Sequence, residues 1–268
     1  PTAVSIANLT GISATVNWTA SSSAPANGYE YEVRTAGLAG SGDTGLALSG
    51  TTAAGVTTVN LTGIAPQNTY TVYVRASCGA GDLSVWTSGI SFSTPCNAAN
   101  VPYLQDFESA AIPGLPICTS IQNVGSGNNW ITSSSPGYGF TSKALQYTYN
   151  SSNAANVWYY TQGINLTGGT SYAISYKYGA AGATYPEKLK VAYGTAPVNS
   201  AMTTVLFDHT SITTTVSATN TVTFTPNTTG VYYFGFNAYS DADEFYLFVD
   251  DIAISIPCSS ANGGTIAS

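Results

Sequence analysis

Short runs in which hydrophobic and polar residues alternate recur along the first 95 positions. Residues 14–18 alternate so that Trp18 faces inward, and residues 28–34 and 70–75 follow the same period of two. This period places successive side chains on opposite faces of a strand. Segments rich in Gly, Ser, Asn and Pro separate the runs. The pattern predicts a sandwich of short antiparallel strands.

A second set of alternating runs begins after Cys96 and continues to about Pro257. No long stretch repeats its hydrophobic residues every 3.6 positions, so almost no helix is expected. A Pro-Cys pair stands at each change of pattern, at residues 95–96 and 257–258. The sequence therefore predicts a first domain over residues 1–95, a second over residues 96–257, and a linker over residues 258–268 that leads into a further domain.

The composition argues against nucleic acid as a partner and favours cations. Only 7% of the residues are charged and the formal net charge is −7, so no basic face exists to neutralise nucleic-acid phosphates. Aromatic residues make up 12% of the chain, which argues against disorder, and the 19 Tyr favour strands. No apolar run approaches the roughly 18 residues that a membrane-spanning helix needs. The acidic balance suits the binding of cations.

The first domain resembles a fibronectin type III domain. The resemblance rests on Trp18 in the second predicted strand and on the run Leu61–Arg75, which contains Leu61 and Tyr70. It implies that Leu61 plugs the core and that Tyr70 forms a tyrosine corner, its hydroxyl bonding back to the chain upstream. The family mostly supplies spacers and interaction surfaces.

The second domain resembles the jelly-roll domains of the MAM, cleaved-adhesin and choice-of-anchor group. It opens with Asp106–Glu108 and Leu115–Pro116, and it closes with Val249–Ile252. Such domains follow fibronectin-like modules in secreted surface proteins of Bacteroidetes-type bacteria, often as type IX secretion substrates. Together the two resemblances predict an all-β chain, an immunoglobulin-like (fibronectin type III) sandwich followed by a jelly-roll β-sandwich.

The jelly-roll resemblance also implies a calcium site near the junction of the first and last strands. Calcium prefers hard oxygen ligands from carboxylates and carbonyls. The candidate ligands are the clustered acids of this domain: Asp106, Glu108, Asp250, Asp251, Asp241 and Asp243. Glu108 with Asp251 is favoured, although Asp250 and Asp251 lie on opposite strand faces and either could serve. The alternative is that these acids cap turns or face solvent.

The four cysteines suggest disulfides in an exported protein. Three pairings are open. Cys78 and Cys96 end successive antiparallel strands, so they should lie about 20 Å apart, whereas a disulfide needs Cα atoms within about 7 Å. We therefore predict a disulfide between Cys96 and Cys118. Cys78 and Cys258 would then find partners outside this chain.

No constellation of catalytic residues is evident. The one histidine, His209, has Asp208 on the opposite strand face, and no Gly-x-Ser-x-Gly motif is present. His209 is expected to lie exposed in a loop. Paired carboxylates can cleave glycosides, but they need a cleft and an acid with a raised pKa. The domain is therefore predicted to be non-catalytic.

Aromatic residues of the second domain offer a surface for sugars, which stack their C–H faces on rings. Tyr138, Tyr159, Tyr185 and Tyr239 are the candidate surface residues, whereas Trp130 and Trp158 are assigned to the core. Lone exposed aromatic residues are common, so this interpretation competes with simple strand packing.

The sequence leaves three functions to consider. The first is a non-catalytic adhesion or spacer segment of a secreted bacterial cell-surface protein, stabilised by calcium, with a glycan or surface-protein ligand and neighbouring domains of the same chain as partners. The second is a carbohydrate-binding module appended to a secreted hydrolase or peptidase. The third is an enzyme domain, which no motif supports. The first two place the protein outside the cell or on its surface.

Overall fold

The computed structural model describes residues 1–79 and 81–257, and the chain divides into two compact units, Pro1–Asn97 and Ala98–Ser268. The division lies close to the predicted boundary after residue 95, while the predicted linker 258–268 falls outside the described residues. Over the described ranges the regular structure is β-strand apart from one 3-10 turn, Asn199–Ala201, which confirms the all-β prediction. No helix in those ranges is long and apolar enough to cross a membrane.

Unit 1 is an antiparallel sandwich. Its strands are β1 (Thr2–Ala7), β2 (Ser13–Thr19), β3 (Tyr29–Arg34), β4 (Leu46–Thr52), β5 (Thr58–Thr62), β6 (Thr69–Gly79), β7 (Asp82–Leu83) and β8 (Ile90–Ser93). One sheet has the order β1-β2-β5 and the other β4-β3-β6-β7, with β8 also paired to β6. Trp18, Leu61 and Tyr70 are buried between the sheets. The backbone N–H of Ala65 donates to the Tyr70 hydroxyl over 2.8 Å, which confirms the predicted tyrosine corner.

Unit 2 is a larger sandwich of two sheets. Its strands are β9 (Tyr103–Gln105), β10 (Ser120–Asn123), β11 (Trp130–Ser134), β12 (Lys143–Thr148), β13 (Val157–Tyr160), β14 (Ile164–Leu166), β15 (Tyr172–Ala180), β16 (Glu187–Gly194), β17 (Thr204–Ile212), β18 (Ala218–Phe224), β19 (Gly230–Ala238) and β20 (Tyr246–Ser255). The β19 sheet has the order β10-β13-β19-β16-β17, with β14 also on β19; the β20 sheet has the order β11-β12-β20-β15-β18, with β9 also on β20. The first and last strands are thus neighbours, as the jelly-roll resemblance implied.

The main core lies between these two sheets. Val157 and Tyr159 of β13, Phe236 of β19 and Val249 of β20 are fully buried in it. The Tyr159 ring packs 5.5 Å from Phe107 and 6.4 Å from Phe236, measured between centroids. The predicted surface position of Tyr159 is therefore wrong. Trp130 and Trp158 are buried, as expected.

The cysteines divide into two kinds. Cys96 and Cys118 are both disulfide-bonded, whereas Cys78 is a free, exposed thiol. A Cys78–Cys96 bond is therefore excluded, and the pairing of Cys96 with Cys118 stays a prediction. Cys258 lies outside the described residues.

His209 is buried, contrary to the prediction of an exposed loop residue. It lies on β17 and is 9% exposed, between the rings of Tyr178 and Phe207 at 4.1 and 4.4 Å. The Tyr176 hydroxyl accepts from Asn220 and lies 2.8 Å from His209 Nε2, so it donates to a neutral imidazole. Burial lowers the pKa of His209 to about 4. Asp208 is on the opposite face, as alternation predicted, so no His-Asp dyad forms.

This histidine should make unit 2 sensitive to acid. Between about pH 6.5 and pH 4 the unfolded chain binds a proton that the folded imidazole does not. The contribution of His209 to stability is therefore expected to be lost as the pH falls through that window, by up to roughly 3 kcal/mol. The raised pKa values of Asp250 and Glu187 change stability in the opposite direction over the same range. His209→Gln keeps an acceptor for Tyr176 but does not titrate, so the difference in unfolding free energy between the unaltered chain and this variant, measured by urea unfolding, isolates the histidine; a difference that does not change with pH would contradict the assignment.

Candidate functional site

Seven aromatic side chains form a continuous array on the outer face of the β20 sheet. We call it the aromatic strip: Tyr138, Phe140, Tyr149, Tyr185, Phe245, Tyr246 and Phe248. Tyr138 stacks on Phe248 with centroids 5.7 Å apart and an 18° interplanar angle. Phe245 joins the other end, 4.5 Å from Tyr246 and 6.0 Å from Tyr185. The strip extends well beyond the two Tyr residues, 138 and 185, that the sequence analysis selected.

Strand alternation produces the middle of the strip. Leu247 and Val249 of β20 point into the main core, so Tyr246 and Phe248 point outward. Phe248 is opposite Gly179 of β15. A Cβ on Gly179 would lie 3.1 Å from the Phe140 ring, so glycine at this position leaves room for the aromatic packing.

The strip is buried at its centre and open at its ends. Phe140 and Phe248 are 2% and 1% exposed, whereas Tyr138 and Tyr185 are 39% and 48% exposed. Tyr246 has intermediate exposure. The buried rings fix the exposed ones in place, which limits the conformational entropy that a ligand must overcome on binding.

A polar cleft of about 400 Å³ adjoins Tyr149 and Tyr246. We call it the amide cleft; its lining residues are Asn128, Thr148, Tyr149, Asn150, Ser151 and Tyr246. Asn128 Nδ2 donates to the carbonyls of Thr148 and Tyr149 over 3.1 and 2.9 Å. Asn150 Oδ1 accepts from the backbone N–H of Ser152 and of Asn153, each over 3.0 Å. Hydrogen bonds thus hold both amides beside two aromatic rings.

Buried Glu187 anchors the loop that carries Phe245. Its side chain accepts from the Phe245 N–H over 2.8 Å and from the Ser240 hydroxyl. Burial raises the pKa of Glu187 above its usual value. Glu187 was not among the functional residues predicted from the sequence. Its burial could have been predicted from the alternation along β16. Glu187 lies on the same strand face as Leu189 and Val191, which point into the core.

A second group of polar side chains, at another place on the β20 sheet, includes two of the predicted calcium ligands, Asp250 and Glu108, whose charges act on each other. Asp250 is 4% exposed, and its Oδ1 accepts from the Asp251 N–H. Burial raises the pKa of Asp250 to about 7, with a smaller contribution from the charges of Asp251 and Glu108. Glu108 Oε1 accepts from the Lys143 N–H over 2.8 Å, and Lys143 Nζ donates to the carbonyls of Glu108 and Ala110. We call this group the acidic corner.

The pairing of Glu108 with Asp251 at a metal stays a prediction; of the two neighbouring aspartates, Asp250 is the buried one. The register of β20 against β15 shifts between Ser175 and Lys177, so Asp251 lies in a bulge with a φ of 47°. Asp251 pairs with Lys177, with Nζ and Oδ2 2.7 Å apart. Strict alternation cannot anticipate which of the two carboxylates a bulge turns toward the loop.

The remaining candidate ligands are engaged in other contacts. Asp106 Oδ1 accepts from the Glu108 N–H and so stabilises a turn. Asp241 pairs with Lys188 over 2.7 Å, and the Asp243 N–H donates to the Asn150 carbonyl. Within residues 1–79 and 81–257, no three His, Cys, Asp or Glu side chains form a group that could hold a metal by themselves. A cation in the acidic corner would also need carbonyl oxygens.

Tyr239 lies away from the strip, on the β19 sheet. Its hydroxyl donates to Asp208, and Lys190 Nζ lies 5.0 Å above its ring. Burial and the hydrogen bond to Asp208 raise the pKa of Tyr239. Of the four predicted surface tyrosines, two therefore belong to the aromatic strip, one to the core and one to the opposite sheet.

Comparisons with known proteins found matches to parts of this chain. Residues 1–92 match the fibronectin type III domain. The chain is 30% identical over 130 residues to endoglucanase B of Cellulomonas fimi, covering 48% of this chain and 11% of that protein. Because the chain spans only about a tenth of the endoglucanase, the match does not transfer the enzyme's activity.

Solved structures with a similar sandwich include the K1 cleaved adhesin domain of Lys-gingipain from Porphyromonas gingivalis W83. It is 17% identical, covers 59% of this chain and 99% of that chain, and has a TM-score of 0.48. Another is the CBM22-1 xylan-binding domain from Paenibacillus barcinonensis Xyn10C, which is 11% identical, covers 60% and 97% of the two chains, and has a TM-score of 0.38.

Proposed function

We propose that this chain is a non-catalytic, glycan-binding segment of a secreted bacterial cell-surface protein. The observation that carries the proposal is the amide cleft beside Tyr149 and Tyr246. Sugar rings stack their C–H faces on aromatic rings, while fixed amides exchange hydrogen bonds with the hydroxyl groups. In this open cleft the second N–H of Asn150 Nδ2 and a lone pair of Asn128 Oδ1 are left for a sugar, since the other amide positions bond within the protein.

The burial and orientation of the titratable side chains favour binding over catalysis. His209 is buried against Tyr176, and Asp208 is on the other strand face. Asp250 has the raised pKa that a general acid needs, but its side chain is 4% exposed. A glycosidic oxygen must approach within hydrogen-bond distance of such an acid, and the burial of Asp250 prevents this.

The partial match to endoglucanase B favours a second candidate within the same ligand class. In this alternative the chain is a carbohydrate-binding module of a secreted hydrolase, and its ligand is a polysaccharide. The adhesion and module functions use the same cleft. They differ in whether the ligand is a cell-surface glycan or a polymer that a catalytic domain degrades.

A glycan array with the recombinant chain tests the proposal, run once with calcium and once with EDTA. Plant and microbial polysaccharides should be included beside host-type glycans. Binding to one defined sugar class is expected, and the class separates the adhesion function from the module function. A folded chain that binds no glycan in either buffer would contradict the proposal.

We further propose that calcium stabilises the acidic corner. Asp250 and Glu108 offer carboxylates to a hard cation, and the carbonyls of Glu108 and Ala110, which bind the ammonium of Lys143, complete the set once that side chain turns away. A buried carboxylate without a counter-charge is costly, and a bound cation removes that cost. Calcium would supply charge neutralisation here and no chemistry.

Calcium is therefore expected to raise the melting temperature of the chain. A ligand at about a hundred times its Kd stabilises the folded state by about 2.7 kcal/mol, which corresponds to roughly 5–10 °C for a unit of this size. Calorimetry in calcium and in EDTA measures the difference. Asp250→Asn should abolish it, whereas Asp241→Asn, in the other acidic loop, should keep it. Equal melting temperatures of the unaltered chain in both buffers would exclude the site.

A further inference from the structure

A row of side chains crosses the outer face of the β19 sheet, on the side of unit 2 opposite the aromatic strip. The strand register aligns Gln122 with Trp158, Trp158 with Asn237, Asn237 with Lys190, and Lys190 with Asp208. The row therefore includes one residue from each strand of the β10-β13-β19-β16-β17 order. Four of its five members are polar, and the opposite face of the same sheet packs on the main core.

Asn237 occupies the middle of this row, and its side-chain oxygen lacks a hydrogen-bond donor. It is 6% exposed, and its Oδ1 has no partner in the described part of the chain. Its neighbours Phe236 and Ala238 face the main core, so Asn237 faces outward. A buried acceptor without a donor costs about 1–3 kcal/mol, so the site calls for a donor from a molecule outside the protein.

The groups beside Asn237 offer donors, acceptors and an aromatic ring. Lys190 Nζ lies 3.6 Å from Asp208 Oδ2 and 5.0 Å above the Tyr239 ring, and the Tyr239 hydroxyl donates to Asp208. The side chains of Lys190 and Asp208 are 33% and 38% exposed. Their charges cancel, so this part of the row has no preference for an ionic ligand.

The other end of the row is closed. The rings of Trp158 and Tyr160 stack at 6.0 Å with a 5° interplanar angle, and both are buried. The Gln122 side chain accepts from the Tyr160 hydroxyl and from the Asn199 N–H. A ligand can therefore approach only the half of the row that runs from Asn237 to Asp208.

We propose that this half is a second carbohydrate-binding site, specific for neutral sugars, with Asn237, Lys190, Asp208 and Tyr239 as its contacts. A sugar hydroxyl donates to Asn237 Oδ1, a second exchanges hydrogen bonds with Lys190 and Asp208, and the sugar ring lies against Tyr239. Lys190 moves aside to admit the ligand; its 3.6 Å contact with Asp208 is long and partly exposed, so little stability opposes the movement.

The inference rests on the proposed glycan binding but places a second site on the opposite sheet. Two sites on one unit allow the chain to bridge two glycan chains, or two segments of one chain, with a gain in avidity. The two sites share no residue, so variants separate them.

NMR titration with cellohexaose, xylohexaose and mannohexaose tests the proposal on the whole chain. Each of the four Trp residues gives its own indole N–H signal, so sugar binding near one of them can be located. Trp158 is the cross-strand neighbour of Asn237. At least one sugar is expected to shift the Asn237 side-chain amide and the Trp158 indole, with Trp18 and Trp86 unchanged. Lys190→Met combined with Tyr239→Ala should remove these shifts. Lys188→Met is the matched control, because Lys188 is on the same strand and pairs with Asp241.

The outcomes separate the two proposals. Persistence of the Asn237 and Trp158 shifts in a Tyr149→Ala, Tyr246→Ala variant would establish the second site. Sugar shifts confined to the aromatic strip, with unchanged affinity in the Lys190→Met, Tyr239→Ala variant, would overturn it and leave the proposed function intact. A folded chain that shows no shift with any glycan would overturn both.

Discussion

Glu187→Ala is expected to lower the free energy of unfolding by about 3 kcal/mol, because it leaves the Phe245 N–H and the Ser240 hydroxyl without their buried acceptor. It should also weaken glycan binding, although Glu187 is not among the cleft residues. The loop it anchors carries Phe245, which packs on Tyr149 and Tyr246. Urea unfolding and glycan titration of the same preparation measure the two effects.

Glu187→Gln is the matched control. Its amide oxygen can still accept from the Phe245 N–H, and its amide nitrogen can donate to Ser240 Oγ, which also accepts from the Lys188 N–H. Only the Ser240 hydroxyl then lacks an acceptor, so stability should fall less than in Glu187→Ala, and binding should stay close to that of the unaltered chain. If Glu187→Ala bound glycan as well as Glu187→Gln did, the proposed connection from the buried carboxylate to the cleft would be wrong.

Removal of two rings, Tyr149→Ala with Tyr246→Ala, should cause the largest loss of affinity. Each aromatic contact contributes about 0.5–1.5 kcal/mol beyond its buried area, so the pair should weaken binding roughly ten- to hundredfold. Titration calorimetry with the best sugar from the array gives the change. The melting temperature must be measured in parallel, because both rings also pack against Phe245.

Tyr138→Ala is the control for position along the strip. Tyr138 stacks on Phe248 at the end away from the amide cleft, so its removal should cost a smaller part of the affinity. Equal losses for Tyr138→Ala and the double variant would mean that the ligand extends along the whole strip. A double variant that stays folded and binds normally would place the ligand elsewhere.

Much of the fold could be predicted because single strands carry a clear alternating pattern. Trp18 and Tyr70 stand at inward positions of such strands, and both are in the core of unit 1. The run Val157–Tyr160 carries no such signal, since all four residues are hydrophobic and all four are buried. Tyr159 faces the main core, while Trp158 and Tyr160 pack with Met202 in a smaller cluster outside it. The second face of β13 is buried because Met202, distant in sequence, packs against Trp158 and Tyr160.

The candidate site was harder to predict because it joins distant segments. Tyr138, Tyr149 and Tyr185 enter the strip from three separate loops, and each reaches β20 or the residue before it. Sequence alternation gives the face of a strand but not the loop that folds over it. The bulge at Asp251 had no sequence signal either, although Asp250 beside it is buried while Asp251 is partly exposed in an ion pair with Lys177.

The central claim is that the amide cleft binds glycan, and affinity electrophoresis through gels that contain soluble polysaccharides tests it most directly. The unaltered chain and the Tyr149→Ala, Tyr246→Ala variant should be run side by side in gels of β-glucan, xylan and mannan, with calcium present. We expect at least one polysaccharide to retard the unaltered chain, and the variant to be retarded less. Equal mobility of the two folded proteins in every gel would contradict the claim.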